Sequence, residues 1–144
     1  MASILIADPD VELRRRCRVW LESAGHMVLE AQNGREALAW YSQAPTDLLI
    51  VDLSLLSQDG LDTIAEVRRR FPSARTRIIT LGDAGSVMGI LNLSTVLRMS
   101  GAHRTLKKPF ALASLSEAVR EEINSLACSP ARFSRVPDVG SDDN

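Results

Sequence analysis

The chain has 144 residues with 45% hydrophobic and 24% charged side chains, the size and composition of one folded domain and not of a disordered chain. Its 17 basic and 18 acidic residues leave a formal charge of -1, which excludes a general attraction to nucleic acid or anionic lipid, and its two cysteines, Cys17 and Cys128, exclude a disulfide framework or a zinc cage. No apolar run is long enough to span a membrane and the Met-Ala-Ser start has no basic flank, so a reducing cytoplasm is the expected location.

Ile4-Leu5-Ile6-Ala7 is a short continuous apolar run that stops at Asp8-Pro9-Asp10, the pattern of a strand buried on both faces. Residues 11–24 read as a helix with Leu13, Cys17, Trp20, Leu21 and Ala24 on one side, ended by Gly25. Arg14, Arg15, Arg16 and Arg18 crowd its other turns and read as a solvated face, as do Arg68, Arg69 and Arg70 further on. Met27-Val28-Leu29 is a second strand. Asn33-Gly34 then leads into a helix over residues 35–42, with Ala37, Leu38 and Tyr41 inward. Trp40 and Tyr41 are neighbours on that helix, so one of them at most is expected to be fully buried.

The cycle then repeats. Residues 47–52 form an apolar run ending in Asp52, and residues 60–70 a helix with Leu61, Ile64, Ala65 and Val67 as its apolar stripe, closed by Phe71-Pro72. Arg77-Ile78-Ile79-Thr80-Leu81 is a fourth strand ended by Gly82-Asp83, and residues 86–99 read as a helix stopped by Gly101. Arg104-Thr105-Leu106-Lys107 is a fifth strand, and Leu112, Leu115, Val119, Ile123 and Leu126 mark a last helix. Five alternations of strand and helix predict an α/β domain over residues 1–126, a parallel sheet with helices on both faces. Residues 127–144, dominated after Ser129 by Pro, Ser, Gly and Asp, are expected to be a disordered tail or an interaction segment.

Sheets of this kind hold their ligands at the carboxyl ends of the strands. Reading those ends in order gives Asp8, Asp52, Gly82 and Lys108. Two carboxylates with one ammonium suit a hard cation and a phosphoryl group, and an aspartate can itself be the nucleophile of a covalent aspartyl phosphate. His26 and His103 each sit in a turn before a strand and are read neither as metal ligands nor as phosphodonors.

At these positions the sequence resembles the receiver domain of two-component response regulators. The matching pieces are Ile4-Leu5-Ile6-Ala7-Asp8, the segment 47–60 centred on Asp52 with Asp59-Gly60, and Gly101-Ala102 leading to Lys108-Pro109-Phe110. The resemblance implies a flavodoxin-like sheet of order 2-1-3-4-5. It also implies that Asp52 accepts a phosphoryl group from a histidine kinase or phosphotransfer protein with Mg2+ bound, while Lys108 pairs with that group. Asp8, Asp52 and the backbone carbonyl of Ser54 would serve the metal, with Asp10 as a further candidate. The pattern departs from the family at four places. Pro9 stands where a second acid ligates the metal, which leaves Asp10 to cap the first helix. Gly82 replaces the switch Ser/Thr, Asp83 replaces a small residue, and Thr105 replaces the switch aromatic.

Two readings therefore stand side by side: phosphotransfer signalling through Asp52, and a degenerate receiver acting as a phosphorylation-independent interaction or dimerisation module. The partner face would be the segment carrying Val87, Ile90, Leu91 and Leu97, with the fifth strand and the last helix beside it, through which a homodimer could form. No residues remain for a DNA-binding output domain, and no nucleic acid or membrane partner is expected. The chain is expected to be a phosphoacceptor with at most slow self-dephosphorylation. A phosphohydrolase using Asp52 as nucleophile is disfavoured, because Asp10 is its sole candidate acid or base.

Overall fold

The structure, a computed structural model, describes residues 1–55, 60–82 and 102–127. The expected helix over residues 86–99, its apolar face at Val87, Ile90, Leu91 and Leu97, the tail, Asp83 and Cys128 lie outside the described residues, as does the side chain of Leu61. The elements follow as β1 (Ser3–Ala7), α1 (Val11–Ser23), β2 (Met27–Ala31), α2 (Gly34–Gln43), β3 (Leu48–Asp52), a short 3-10 turn (Leu53–Leu55), α3 (Gly60–Arg70), β4 (Arg77–Leu81), β5 (Arg104–Leu106) and α4 (Leu112–Ala127). All strand pairings are parallel, in the order β2-β1-β3-β4-β5. That is the flavodoxin-like arrangement the sequence implies.

The two-residue alternation of each strand sorts the core into two halves. Leu5, Ala7, Leu49, Val51 and Ile78 face α2 and α3, where Ala37, Tyr41, Ile64 and Val67 meet them. Ile4, Ile6, Leu48, Ile50, Ile79 and Leu81 face α1 and α4, where Cys17, Leu21, Leu115, Ala118 and Val119 meet them. The continuous apolar runs follow directly: a central strand covered on both faces has no polar side to show. Each fully buried Leu or Ile contributes about 2 kcal/mol of apolar burial.

Local signals set the helix boundaries. Asp10 Oδ1 accepts the backbone N–H of Glu12 and of Leu13, both at 3.1 Å, and so caps α1. Asn33 caps α2 through the Glu36 N–H at 2.8 Å. Gly25 turns the chain out of α1 at φ +96°, a conformation that L side chains rarely adopt. Tyr41 is fully buried and Trp40 is 43% exposed, as adjacency on one helix requires. The Thr76 hydroxyl donates to the Thr46 carbonyl at 2.6 Å, so in the 2.6 Å contact between Tyr41 Oη and Thr76 Oγ1 the phenol is the donor.

Four helical positions depart from the expected faces. Trp20 is 40% exposed and Ala24 is also exposed, because α1 buries only the narrow stripe of Cys17 and Leu21 with Leu13 half-buried. Trp20 instead lies across the outer seam, its indole N–H donating to Ser116 Oγ of α4. Ala65 is exposed and Thr63 is buried on α3, a rotation of the inward stripe toward Ile64 and Val67. Arg14 is no solvated residue: it is half-buried and paired with Glu30 at 2.7 Å.

At the amino edge of the sheet the buried Glu122 accepts from Arg77 Nε at 2.9 Å and from Arg104 Nε at 2.8 Å, tying α4 to the starts of β4 and β5. Burial pushes its carboxyl upward, but the two guanidinium hydrogen bonds outweigh this and hold it below the usual glutamate value. A carboxyl depressed in the folded state stabilises the fold above its unfolded value of 4.5, and that contribution disappears as pH falls through the depressed value. Glu122→Gln is accordingly expected to cost about 1.5–3 kcal/mol at neutral pH. In urea denaturation the difference from wild type should shrink steadily as the pH falls below 4.5.

Candidate functional site

The sheet order brings three functional groups to its carboxyl edge. Asp8 is the first residue after β1, Asp52 is the last residue of the adjacent β3, and Lys108 follows β5 by two residues. Because β4 lies between β3 and β5, the lysine must reach across the end of β4 to meet the carboxylates. Gly82 stands there with no side chain, at φ +142°. Its N–H donates to the Leu106 carbonyl at 3.0 Å, and its own carbonyl accepts the Lys108 N–H at 3.4 Å. A residue with a Cβ would be strained in that conformation. Gly82 is thus bonded on both sides to the segment that carries the lysine.

The Lys108 ammonium sits between the two carboxylates, 2.9 Å from Asp8 Oδ2 and 2.7 Å from Asp52 Oδ1. Asp8 is fully buried and Asp52 is 5% exposed. Asp8 Oδ1 also accepts the Asp10 N–H at 2.8 Å. Asp52 Oδ2 accepts the Ser54 N–H at 3.2 Å and the Ser54 hydroxyl. Burial pushes the Asp8 carboxyl above the usual range with help from the Asp52 charge, against the opposing hydrogen bonds of Lys108 and the Asp10 N–H. Burial likewise works against the charged Lys108, but the hydrogen bonds to Asp52 and Asp8 win and raise its value. Cys17 lies beneath, fully buried; desolvation and then the Asp8 charge push its thiol up to about 11, so it remains an inert thiol.

Asp8, Asp52 and Lys108 are thus brought together as the strand ends required, and Asp10 is not brought with them. It is committed to the cap of α1 through Oδ1, and Pro9 offers no carboxylate. Among the described residues no three acidic, imidazole or thiol groups converge as a metal cage. What remains for a cation is the pair Asp8 and Asp52 with nearby backbone oxygen. That set fits Mg2+, which takes one or two carboxylates and completes its shell with water and phosphate oxygens. Thr105 does not reach the site: its hydroxyl lies 2.7 Å from that of Thr80, a fully buried residue inside β4.

Two supporting residues escaped the sequence reading. Arg14 Nη1 donates to the Asp8 backbone carbonyl at 2.6 Å while its Nε is held by Glu30, so β2 and α1 together fix the loop that carries Asp8. Nothing in a run of arginines marks which one turns inward, and Glu30 across the sheet was the only hint. The Ser54 side chain bonds to Asp52, where only its carbonyl had been considered. An Asp followed two residues later by Ser is a recurrent local hydrogen-bonding pattern that could have shown it. The Nδ1 of His26 and of His103 each accepts a backbone N–H, from Ala2 at 3.2 Å and from Ile78 at 2.9 Å.

The site opens into a groove of about 490 Å3 lined by Asp10, Arg16, Lys108, Pro109 and Phe110. This groove shares Glu12, Arg16 and Leu112 with a second, of about 710 Å3, that runs along α1 past Val11, Val19 and Trp20. Among the described residues no helix is long and apolar enough to cross a membrane.

Comparison with known proteins agrees with this geometry. The chain is 29% identical over 124 residues to the DNA-binding transcriptional regulator NtrC of Azospirillum brasilense, a match of 86% of this chain and only 24% of that protein. It is 27% identical over 123 residues to the chemotaxis protein CheY of Listeria monocytogenes, covering 84% of this chain and 98% of that one. The solved structure of chemotaxis protein CheY4 of Vibrio cholerae superposes with a TM-score of 0.73 at 27% identity, over 84% of this chain and 98% of the other. Residues 4–120 match the family model described as the response regulator receiver domain, and with most of its length inside that match the chain belongs to the response regulator receiver domain family.

Proposed function

We propose that this chain is a phosphoacceptor of a two-component pathway, modified on Asp52 by a histidine kinase or phosphotransfer protein. Receiver domains as a family are phosphoacceptors and not enzymes in the ordinary sense. The observation that carries the reading for this chain is the Lys108 ammonium, placed within 2.7 Å of Asp52 and 2.9 Å of Asp8 at the carboxyl edge of the sheet. A carboxylate oxygen of Asp52 attacks the phosphorus of the donor, the bond from phosphorus to the donor nitrogen breaks, and an aspartyl phosphate forms. Lys108 contacts Asp52 beforehand and turns to the phosphoryl oxygens afterwards, since the added charge is a stronger partner than the carboxylate it replaces. Asp8 and Asp52, with the Ser54 carbonyl, would hold Mg2+, which supplies positive charge to the transferring group.

The donor in this reading is a protein. The groove along α1, which adjoins the one at Lys108, exposes Val11, Val19 and Trp20, at 46%, 62% and 40%, and is lined also by Arg15, Arg16 and Glu12. An acidic, amphipathic helical surface would cover it. A cytoplasmic location and a receiver unit over residues 1–126 go with the same reading. A second reading keeps support from Thr105, whose hydroxyl is tied to Thr80: the family's hydroxyl-to-aromatic relay has no counterpart here, as expected of a phosphorylation-independent interaction module. The partner surface of that module, at Val87, Ile90, Leu91 and Leu97, lies outside the described residues.

Intact-protein mass after treatment with acetyl phosphate and Mg2+ separates the two. Wild type is expected to gain one phosphoryl group that Asp52→Asn does not gain. A folded wild-type protein that gains none sinks the phosphoacceptor reading in favour of the interaction module. Pro9→Asp returns a carboxylate to the metal and is expected to tighten Mg2+ binding on the order of tenfold by titration calorimetry. Asp10→Ala should lower stability by about 1 kcal/mol through the lost cap and leave the Mg2+ affinity unchanged.

A further inference from the structure

Asp8 is held at each of its polar atoms. Its N–H donates to the Ala31 carbonyl at 3.1 Å, and Oδ1 accepts the Asp10 N–H at 2.8 Å. Oδ2 meets the Lys108 ammonium at 2.9 Å, and the backbone carbonyl accepts Arg14 Nη1 at 2.6 Å. The first two partners are main-chain groups and the third belongs to the charged cluster itself. Arg14 is the side chain from outside that cluster that donates to Asp8.

The Asp8 carbonyl needs that donor for a local reason. The ladder between β1 and β2 ends at the Ala7–Ala31 pair, one residue before Asp8. Pro9 has no N–H, so the carbonyl is the sole hydrogen-bonding group of the peptide that joins Asp8 to Pro9. A swing of that peptide would carry the Asp8 side chain with it. Arg14 opposes the swing from a fixed base. Its own N–H donates to the Asp10 carbonyl at 3.0 Å, and the Asp10 N–H returns to Asp8 Oδ1, which closes a ring of bonds.

Fastening α1 to β2 does not by itself explain this geometry. Arg18, one turn further along α1, already pairs with Glu30 at 3.0 Å, and its side chain is 47% exposed against 11% for Arg14. Arg14 spends Nε on Glu30 at 2.7 Å and aims Nη1 at the Asp8 carbonyl. Donors on separate nitrogens of one rigid plane allow both bonds at once, whereas an ammonium carries all its donors on a single nitrogen. Glu30 is a firm anchor for the fork. Burial pushes its carboxyl up, but the hydrogen bonds of Arg18 and Arg14 hold it below the usual glutamate value.

We propose that Arg14 is a positioning residue of the phosphoacceptor site: by holding the Asp8 backbone carbonyl it keeps the Asp8 carboxylate aimed at Lys108 and at the cation. The part that concerns the cation rests on the reading of Asp8 and Asp52 as its ligands. Mg2+ demands near-ideal octahedral geometry, and position 9 offers no carboxylate to make up for a misaligned Asp8. Groups that orient a metal-binding carboxylate from behind carry much of a site's affinity.

Amide hydrogen exchange in the metal-free full chain tests the positioning, with Arg14→Lys keeping the charge and removing the fork. The Asp10 amide reports whether the Asp8 carboxylate stays in place, and the amides of Leu5 and Ile50 report opening of the sheet as a whole. In Arg14→Lys the Asp10 amide is expected to exchange about fivefold faster while the two strand amides keep their rates. Arg18→Ala, which removes the other partner of Glu30, should leave the Asp10 rate unchanged. Calorimetric titration should show Mg2+ binding weakened on the order of tenfold in Arg14→Lys and unaltered in Arg18→Ala. An Asp10 amide that keeps its rate in Arg14→Lys, or speeds up only in step with Leu5 and Ile50, overturns the proposal. Equal acceleration in Arg18→Ala, or wild-type Mg2+ affinity in Arg14→Lys, overturns it as well. A wild-type protein that binds no Mg2+ counts against the phosphoacceptor reading instead, and the metal-free Asp10 rates then decide the role of Arg14 by themselves.

Discussion

Everything at the carboxyl edge depends on one ammonium placed between two buried carboxylates. Lys108 lies within 3 Å of both Asp8 and Asp52. Without it, two adjacent aspartates with almost no solvent contact would repel each other and one would take up a proton. With it, each carboxylate has a cationic partner in direct contact. The burial that pushes Asp8 upward makes the lysine contact valuable, because desolvated charges interact more strongly than hydrated ones.

Holding an ammonium there takes most of the surrounding backbone. The lysine starts two residues beyond the edge strand and passes the end of β4. Gly82, just after β4, donates its N–H to the Leu106 carbonyl and accepts the Lys108 N–H at its own carbonyl. On the opposite flank, Arg14 clamps the Asp8 carbonyl and Asp10 turns its side chain into the first turn of α1. Asp10 spends Oδ1 on the cap of α1, and Pro9 offers no carboxylate, so the first loop contributes Asp8 to the cluster.

How far this could be read from the amino-acid order depends on the distance over which each feature is encoded. The buried strands were legible because a strand covered on both faces leaves an uninterrupted apolar run, and β4 and α3 have the expected limits at Arg77–Leu81 and Gly60–Arg70. Asp8, Asp52 and Lys108 were legible because a parallel sheet brings strand ends together regardless of side-chain detail. Helix faces were less so. Trp20 fits the inward stripe of α1 by spacing, yet α1 has room to bury only Cys17 and Leu21, and the indole is carried outside to meet Ser116. Arg14 and Arg68 are indistinguishable from their arginine neighbours in sequence. Arg14 turns to Glu30 on another strand, and Arg68 is half-buried beside the cavity that Arg77 and His103 also line. Such pairings are written in tertiary structure and have no local signature.

The same reasoning limits how a change at Asp52 could be transmitted. In the family a hydroxyl at the end of the fourth strand follows the phosphoryl group and an aromatic ring follows the hydroxyl. Here the equivalent positions are a glycine at φ +142° and a threonine whose hydroxyl is already occupied by Thr80. Neither has a side chain free to travel. What does connect the site to the β4–β5 edge is backbone: Gly82 N–H to Leu106, Lys108 N–H to Gly82. Were Asp52 phosphorylated as proposed, the ammonium would be drawn toward a dianionic phosphoryl group, and the displacement would be applied to a chain that is hydrogen-bonded to the residue following β4. On that proposal the lysine in contact with Asp52 would also couple its charge state to the end of β4, and acceptor and readout would share one side chain.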